Sequence, residues 1–264
     1  MIRLENLSKT YAKSGSKAVD GLSLEIRNGE IFGFLGPNGA GKTTTIKMLT
    51  GVLKPDSGSV EIGGVDMAAR PLEAKSRFGL VGDNPELFNK LRAREYLNFV
   101  ADVYRVPDVE RQDRITSLTK RFKIADVLAS SIGSFSRGMK QKLCLVASLV
   151  HDPEAWILDE PMVGLDPQAA FDLKELMRER AASGKLVLFS THVMEVAEKV
   201  CDRIAIIDKG RILFTGTISE LRAREGNAEA PTGVREDGQP SASLESLFLE
   251  LVDDSPESPG SPTP

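Results

Sequence analysis

Cysteine is scarce in this chain: two among 264 residues, Cys144 and Cys201. Both stand in apolar sequence surroundings, which reads as buried, reduced thiols and argues against a disulfide. Long apolar runs are missing as well. No uninterrupted hydrophobic stretch is long enough to span a bilayer, and Met1-Ile2-Arg3-Leu4-Glu5 does not begin a secretory signal. If a membrane is involved, another chain must cross it. One-sided charge is also lacking: 34 Lys and Arg stand against 38 Asp and Glu, a net charge of −4 with a pI near 5.5. That balance argues against nucleic acid as the principal partner. The chain shows no internal repeat and no sustained heptads. What remains is an ordinary globular composition, 41% hydrophobic and 27% charged. Its length allows one large core or two subdomains.

Hydrophobic spacing gives a coarse plan. Ile2 and Leu4, then Leu22, Leu24 and Ile26, alternate with polar residues and predict two half-buried strands. Ile31-Phe32-Gly33-Phe34-Leu35 is a continuous apolar run, expected as a buried strand. Pro55-Asp56-Ser57-Gly58 predicts a turn, with a short strand starting at Val60 and Ile62. From about Glu86 to Leu149 the period becomes helical: Leu97, Val100 and Tyr104 share one face, and Ile115, Leu118 and Phe122 another. Two apolar strands, Ala155-Trp156-Ile157-Leu158 and Leu186-Val187-Leu188-Phe189, bracket a helix marked by Phe171, Leu173, Leu176 and Met177. Ile204–Ile207 and Ile212–Phe214 flank Asp208-Lys209-Gly210-Arg211, a hairpin pattern. The expected fold is α/β: a mainly parallel sheet wrapped by helices, with an inserted helical subdomain and a small antiparallel β layer. Past Gly216, Ile218–Arg224 predicts a short helix, and Gly226–Ser243 is polar and rich in turn formers. Leu244–Leu251 predicts a docking helix, and Asp253–Pro264, with four prolines among serines and acids, predicts disorder.

The chemistry begins at Gly36-Pro37-Asn38-Gly39-Ala40-Gly41-Lys42-Thr43-Thr44, which fits G-x-x-x-x-G-K-[ST]. Its glycines let successive backbone N–H groups turn toward one anion. The Lys42 ammonium suits terminal phosphates, and the Thr43 hydroxyl suits Mg²⁺. A buried strand precedes the loop, and Ile46, Leu49, Val52 and Leu53 repeat at helical spacing beyond it. Strand, loop and helix place the phosphates at a helix N-terminus. The pattern predicts a nucleoside triphosphate site. A second motif, Trp156-Ile157-Leu158-Asp159-Glu160-Pro161, is an apolar strand ending in two carboxylates. Asp159 is expected to hold Mg²⁺ and Glu160 to polarise the attacking water. Ser136-Arg137-Gly138-Met139-Lys140-Gln141 reads as a capped helix start, a further anion site on a different subdomain.

Here the sequence resembles the ATP-binding-cassette family, whose signature reads L-S-G-G-Q. This chain keeps Ser136 and Gly138 within Phe135-Ser136-Arg137-Gly138-Met139, and its departures are similar to variants in exporters with separate ATPase and membrane chains. The resemblance covers about residues 1–217 as the ATPase domain, with the helical subdomain at about 86–149. It leaves 218–252 as a C-terminal extension with short helices and 253–264 as a tail. It implies that Tyr11 stacks on adenine and that Gly164-Leu165-Asp166-Pro167 lies against a partner subunit, with Asp166 near the nucleotide. His192, after Phe189-Ser190-Thr191, matches the switch histidine that orients water and Glu160; His151 has no such assignment. Phe78–Pro85 aligns with the Q-loop, where Asp83 replaces the usual glutamine. A carboxylate only accepts hydrogen bonds and adds charge.

The resemblance further implies ATP and Mg²⁺ held between the P-loop of one cassette and the Ser136 helix of another, identical or different. It implies a separate permease docked near Asp83–Tyr104, with Leu87 and Phe88 as anchors. The chain is then expected to be cytoplasmic, peripheral on the inner face of the cell membrane, with no nucleic-acid partner. A soluble ATP-driven machine would resemble tandem cassettes or carry a long coiled coil, and neither is present. An inactive cassette is disfavoured by Lys42, Asp159, Glu160 and His192, although Asp83 keeps it in view.

Overall fold

The computed structural model describes residues 1–12, 15–83, 87–224 and 243–253. The chain opens with β1 (Ile2–Thr10), β2 (Lys17–Ile26), β3 (Ile31–Leu35) and α1 (Lys42–Leu49). Next come β4 (Ser57–Ile62), β5 (Val65–Asp66), α2 (Pro71–Ser76) and β6 (Phe78–Val81). Three helices follow, α3 (Ala93–Val103), α4 (Asp108–Arg121) and α5 (Arg137–Leu149). The chain then returns to β7 (Ala155–Asp159), α6 (Pro167–Ala182), β8 (Leu186–Thr191) and α7 (Met194–Val200). It ends with β9 (Arg203–Asp208), β10 (Arg211–Gly216), α8 (Ile218–Arg224) and α9 (Leu244–Asp253).

Two sheets form. One is antiparallel, in the order β2-β1-β4-β5; the other runs β10-β9-β3-β8-β7-β6 and is parallel except for β10. The expected α/β class, parallel sheet and small antiparallel layer are what the chain builds. Burial explains the strand types. Ile2 and Leu4 face inward opposite Ile26 and Leu24, with charged residues outward, as a one-sided sheet requires. β3, β7 and β8 are buried along their whole length, which is why their sequences are unbroken apolar runs. One core lies between the large sheet and α3 to α6, around Leu143, Trp156 and Phe189. The Trp156 indole N–H there donates to Ser148 Oγ at 2.9 Å. A second core lies between the sheets, around Phe32, Phe34 and Ile46, and a third under the C-terminal helices. Arg121 on α4 grips Glu179 on α6 with two hydrogen bonds of 2.6 and 2.8 Å, tying the inserted helices to the rest.

Register sets the site. β3 pairs with β8 so that Leu35 lies opposite Thr191, and β7 pairs with β8 so that Asp159 lies opposite Ser190. The segments leaving β3, β7 and β8 therefore emerge side by side at the carboxyl edge of the sheet. That edge is where open α/β sheets bind ligands.

Several details differ from the sequence reading. The helix after Lys42 stops at Leu49 and does not reach Val52 or Leu53. Gly51, at φ 65°, donates to the Met48 carbonyl while Val52 donates to that of Lys47, a left-handed stop that leaves Val52 66% exposed. Phe171 is exposed, whereas Leu173, Leu176 and Met177 are buried. β5, α2 and α7 were not read from the sequence because two to seven residues hold too little periodicity. β6 went unread as well. Both thiols are free and partly buried, and burial raises them, Cys144 to about 12. The turn at Lys209-Gly210 has positive φ at both central residues, as the hairpin pattern requires. Of the polar stretch 226–243 and the tail 253–264, all but Ser243 and the backbone of Asp253 lie outside the described residues.

Candidate functional site

β3 delivers the chain into the loop Gly36–Gly41. No side chain caps the N-terminus of α1, so its first-turn N–H groups keep their capacity for an anion. Gly41 is at φ 110°, and a Cβ there would meet the Ala18 carbonyl oxygen at 2.6 Å. The neighbouring hairpin supports the loop from behind, with the Gly210 N–H donating to the Ala40 carbonyl at 2.9 Å. Asn38 and Gly39 are exposed at the tip, and Ala40 is buried. Lys42 is buried and donates to the carbonyls of Gly36 (2.7 Å) and Pro37 (3.1 Å), which holds its ammonium across the mouth of the loop. The Tyr11 hydroxyl lies 3.4 Å from Thr44 Oγ1, which places Tyr11 beside the loop.

The carboxylates come from the end of β7. Asp159 is 2% exposed and accepts hydrogen bonds from the Ser190 hydroxyl and from Thr43. Burial pushes its carboxyl above the usual range, against the pull of those two donors; the charges of Asp83 and Glu160 push it further up. Glu160 adopts φ 47°, a left-handed conformation that costs a non-glycine residue roughly 1–3 kcal/mol. Its N–H donates to Ser190 Oγ at 3.1 Å, so one hydroxyl fixes both acids. Glu160 Oε1 lies 2.9 Å from His192 Nδ1 and 3.8 Å from Lys42 Nζ. Burial lowers the Lys42 pKa, while Glu160 and Asp159 favour its charged form.

A cleft of about 220 Å³ opens over these groups, lined by Ala18, Pro37, Asn38, Gly39, Gly41, Lys42, Thr43, Thr44, Asp83 and Glu160. Asp83 is exposed at its rim. The donor set of Thr43 hydroxyl and Asp159 carboxylate is hard oxygen, which suits Mg²⁺. Among the described residues no cluster of three or more His, Cys, Asp or Glu could hold a metal unaided.

Other expected site residues lie elsewhere. Ser136, Gly138 and Asp166 do not line this cleft. Ser136 caps α5, accepting from the Met139 N–H at 3.2 Å. Gly138 sits so close to the next loop that a Cβ would meet the Gly164 carbonyl oxygen at 2.7 Å. Asp166 caps α6 through the Ala169 N–H at 2.9 Å and pairs with Lys142 at 2.6 Å. Both hydrogen-bonding partners hold its carboxyl below the usual range. The start of α5 and the loop before α6 thus form one rigid surface, joined also by buried Gln141, whose amide donates to the Pro161 carbonyl at 3.1 Å. Sequence reasoning missed Ser190 and Gln141 as organisers. Ser190 stood in the quoted run before His192, and only strand register shows it opposite Asp159.

The sequence profile of the ABC transporter family matches residues 19–163. This chain belongs to that family. The daunorubicin resistance ATP-binding protein DrrA3 of Streptomyces coeruleorubidus is 35% identical over 95% of this chain and 79% of its own length. The Nod factor export ATP-binding protein I of Ralstonia nicotianae is 36% identical over 85% of this chain and 70% of its own. The solved ATP-binding subunit of an ABC transporter superposes with a TM-score of 0.86 at 32% identity, covering 96% of this chain and 99% of that one. The cassette is an ATPase subunit of a transporter, and its domain is one that binds ATP or ADP.

Proposed function

We propose that this cassette drives export by closing on ATP against a second cassette. The observation that carries the reading is a division of labour. Lys42, Thr43, Asp159, Glu160 and His192 converge at one sheet edge, while the capped helix start at Ser136 and the Asp166 loop line no part of that cleft. One chain therefore presents half a site and the complement to another half. Closing two copies head to tail would put the N–H groups near Ser136 and Gly138 against the phosphates held by the partner's loop.

The chemistry follows from the groups present. Lys42 and the backbone N–H groups of the loop and of the facing helix stabilise charge on the γ-phosphoryl group. Thr43 and Asp159 would hold Mg²⁺, which neutralises phosphate charge when bound. Glu160 takes a proton from water, and His192 keeps the Glu160 carboxylate aimed. Tyr11 offers an aromatic face to adenine, which gives affinity with little base selectivity. Loss of the γ-phosphate removes the bridge between the two halves and lets them part.

No helix among the described residues is long and apolar enough to cross a membrane. We place the cassette on the inner face of the cell membrane, held by a separate permease. The exposed aromatic cluster of Phe88 and Phe99, with ring centroids 6.0 Å apart, is the docking surface. Leu87, also expected as an anchor, is half-buried against the helical core. Export is the direction suggested by the resistance and export relatives. Glu160→Gln tests the mechanism. It should retain ATP binding, lose turnover about a hundredfold or more, and accumulate as a dimer in ATP on gel filtration. Unchanged hydrolysis would remove Glu160 as the base.

A further inference from the structure

We infer that the C-terminal helix α9 is a positioning element for His192, holding the histidine on Glu160 through α7. The inference rests on the role given to His192 above. The imidazole is itself half exposed and bonded to Glu160, so the flanking chain has to aim it. On one side it is anchored by β8, where Thr191 Oγ1 accepts from the Val193 N–H at 3.1 Å. On the other side α7 begins two residues later. That helix has seven residues and no side-chain cap, too short to hold its place without packing.

The packing comes from two directions. Val196 and Val200 belong to the central core, and Met194 and Ala197 belong to the C-terminal cluster. In that cluster Leu244, Leu247 and Leu251, spaced three and four residues apart on one face of α9, are 0%, 0% and 7% exposed. An ion pair from Arg222 on α8 to Glu198 adds a second tie to α7. The loop residues 36–44 lie outside this cluster; Leu35, which precedes them, belongs to it but is pinned within the sheet on both sides, opposite Thr191 of β8 and Ile206 of β9. Loosening α9 therefore frees the histidine while leaving the nucleotide cradle intact.

The test uses the full chain with Leu247→Ala, and Leu251→Ala as a milder truncation of the same patch. We expect kcat to fall about tenfold, the scale on which a small misplacement of a catalytic group acts, with KM for ATP within about twofold of the parent. The His192 imidazole signals should move; with only two histidines in the chain, a His151→Gln background identifies them. Leu247→Met should restore both readouts. Val60→Ala, a core truncation in the antiparallel sheet, should lower stability without this split. If both leucine variants turn over at the parental rate while hydrogen exchange shows α9 released, the inference is overturned. It is equally overturned if kcat and KM move together as in Val60→Ala. His192→Ala separates the two readings. A fast His192→Ala enzyme defeats the histidine's role itself, whereas a slow one beside fast leucine variants defeats only the part assigned to α9.

Discussion

Acid should destabilise this fold through His151 before it touches the carboxylates. The ring stacks on Tyr104 with centroids 3.7 Å apart and planes 9° from parallel, and Nε2 lies 3.1 Å from the Phe78 carbonyl oxygen. That contact requires the proton on Nε2, which leaves Nδ1 buried with no partner. Protonating Nδ1 would bury a charge and an unsatisfied donor. Burial accordingly lowers the His151 pKa to about 4 from 6.5; Arg180 pushes the same way, against the Phe78 bond and Asp152. The unfolded chain takes up a proton near 6.5 that the folded chain refuses until about pH 4. Stability is therefore full above the unfolded value and is lost as pH falls through that window. Between pH 7 and pH 5 the loss works out at about 2 kcal/mol as an upper bound, nearer 1 kcal/mol with solvent screening at a partly exposed ring. His151→Gln keeps a donor for Phe78 and cannot titrate. Urea midpoints at pH 7 and pH 5 should show the parent losing that much more than the variant, with equal m-values. Groups that titrate identically in both chains, such as Asp159, cancel in the comparison. Equal losses in the two proteins would refute the reasoning.

Two further outcomes follow from the same surfaces. Asp83→Gln removes a negative charge from a cleft that receives phosphates; metal-free ATP should bind about two- to threefold tighter to the variant, as a screened charge at the rim predicts. Fluorescent-nucleotide titration in EDTA reads this, and unchanged or weaker binding would show that Asp83 is electrostatically silent. Phe88→Asp, at a side chain 60% exposed, should leave the melting temperature unchanged and abolish co-purification with the membrane subunit. An intact complex would move the docking surface elsewhere.

Much of the site was legible because its motifs sit where backbone geometry demands particular residues. The Gly36–Thr44 loop needs glycine where φ is positive and a lysine long enough to fold back over it. The Asp159-Glu160 pair needs an apolar strand that can be fully buried. What the sequence withheld was set by register and by contacts between distant segments. Ser190 became an organiser only when β7 and β8 aligned it with Asp159. The strain at Glu160 has no sequence signal at all. Phe171, expected to mark the helix alongside Leu173, Leu176 and Met177, is exposed, because at roughly 100° per residue a position two before Leu173 falls on the opposite face. The separation of Ser136 and Asp166 from the cleft was implied by resemblance, yet their mutual support through Gln141 and Lys142 appeared only in three dimensions.

The composite pocket can be probed by mixing two disabled chains. Lys42→Ala lacks the phosphate-binding ammonium, and Ser136→Glu sets a carboxylate where the facing helix should meet phosphate. Each alone should be nearly inactive. Mixed in equal amounts, half of the pairs carry one intact site, so ATP hydrolysis should reappear at about a quarter of the parental rate. Parental turnover by Ser136→Glu alone, or a mixture as inactive as its components, would contradict a site shared between two chains.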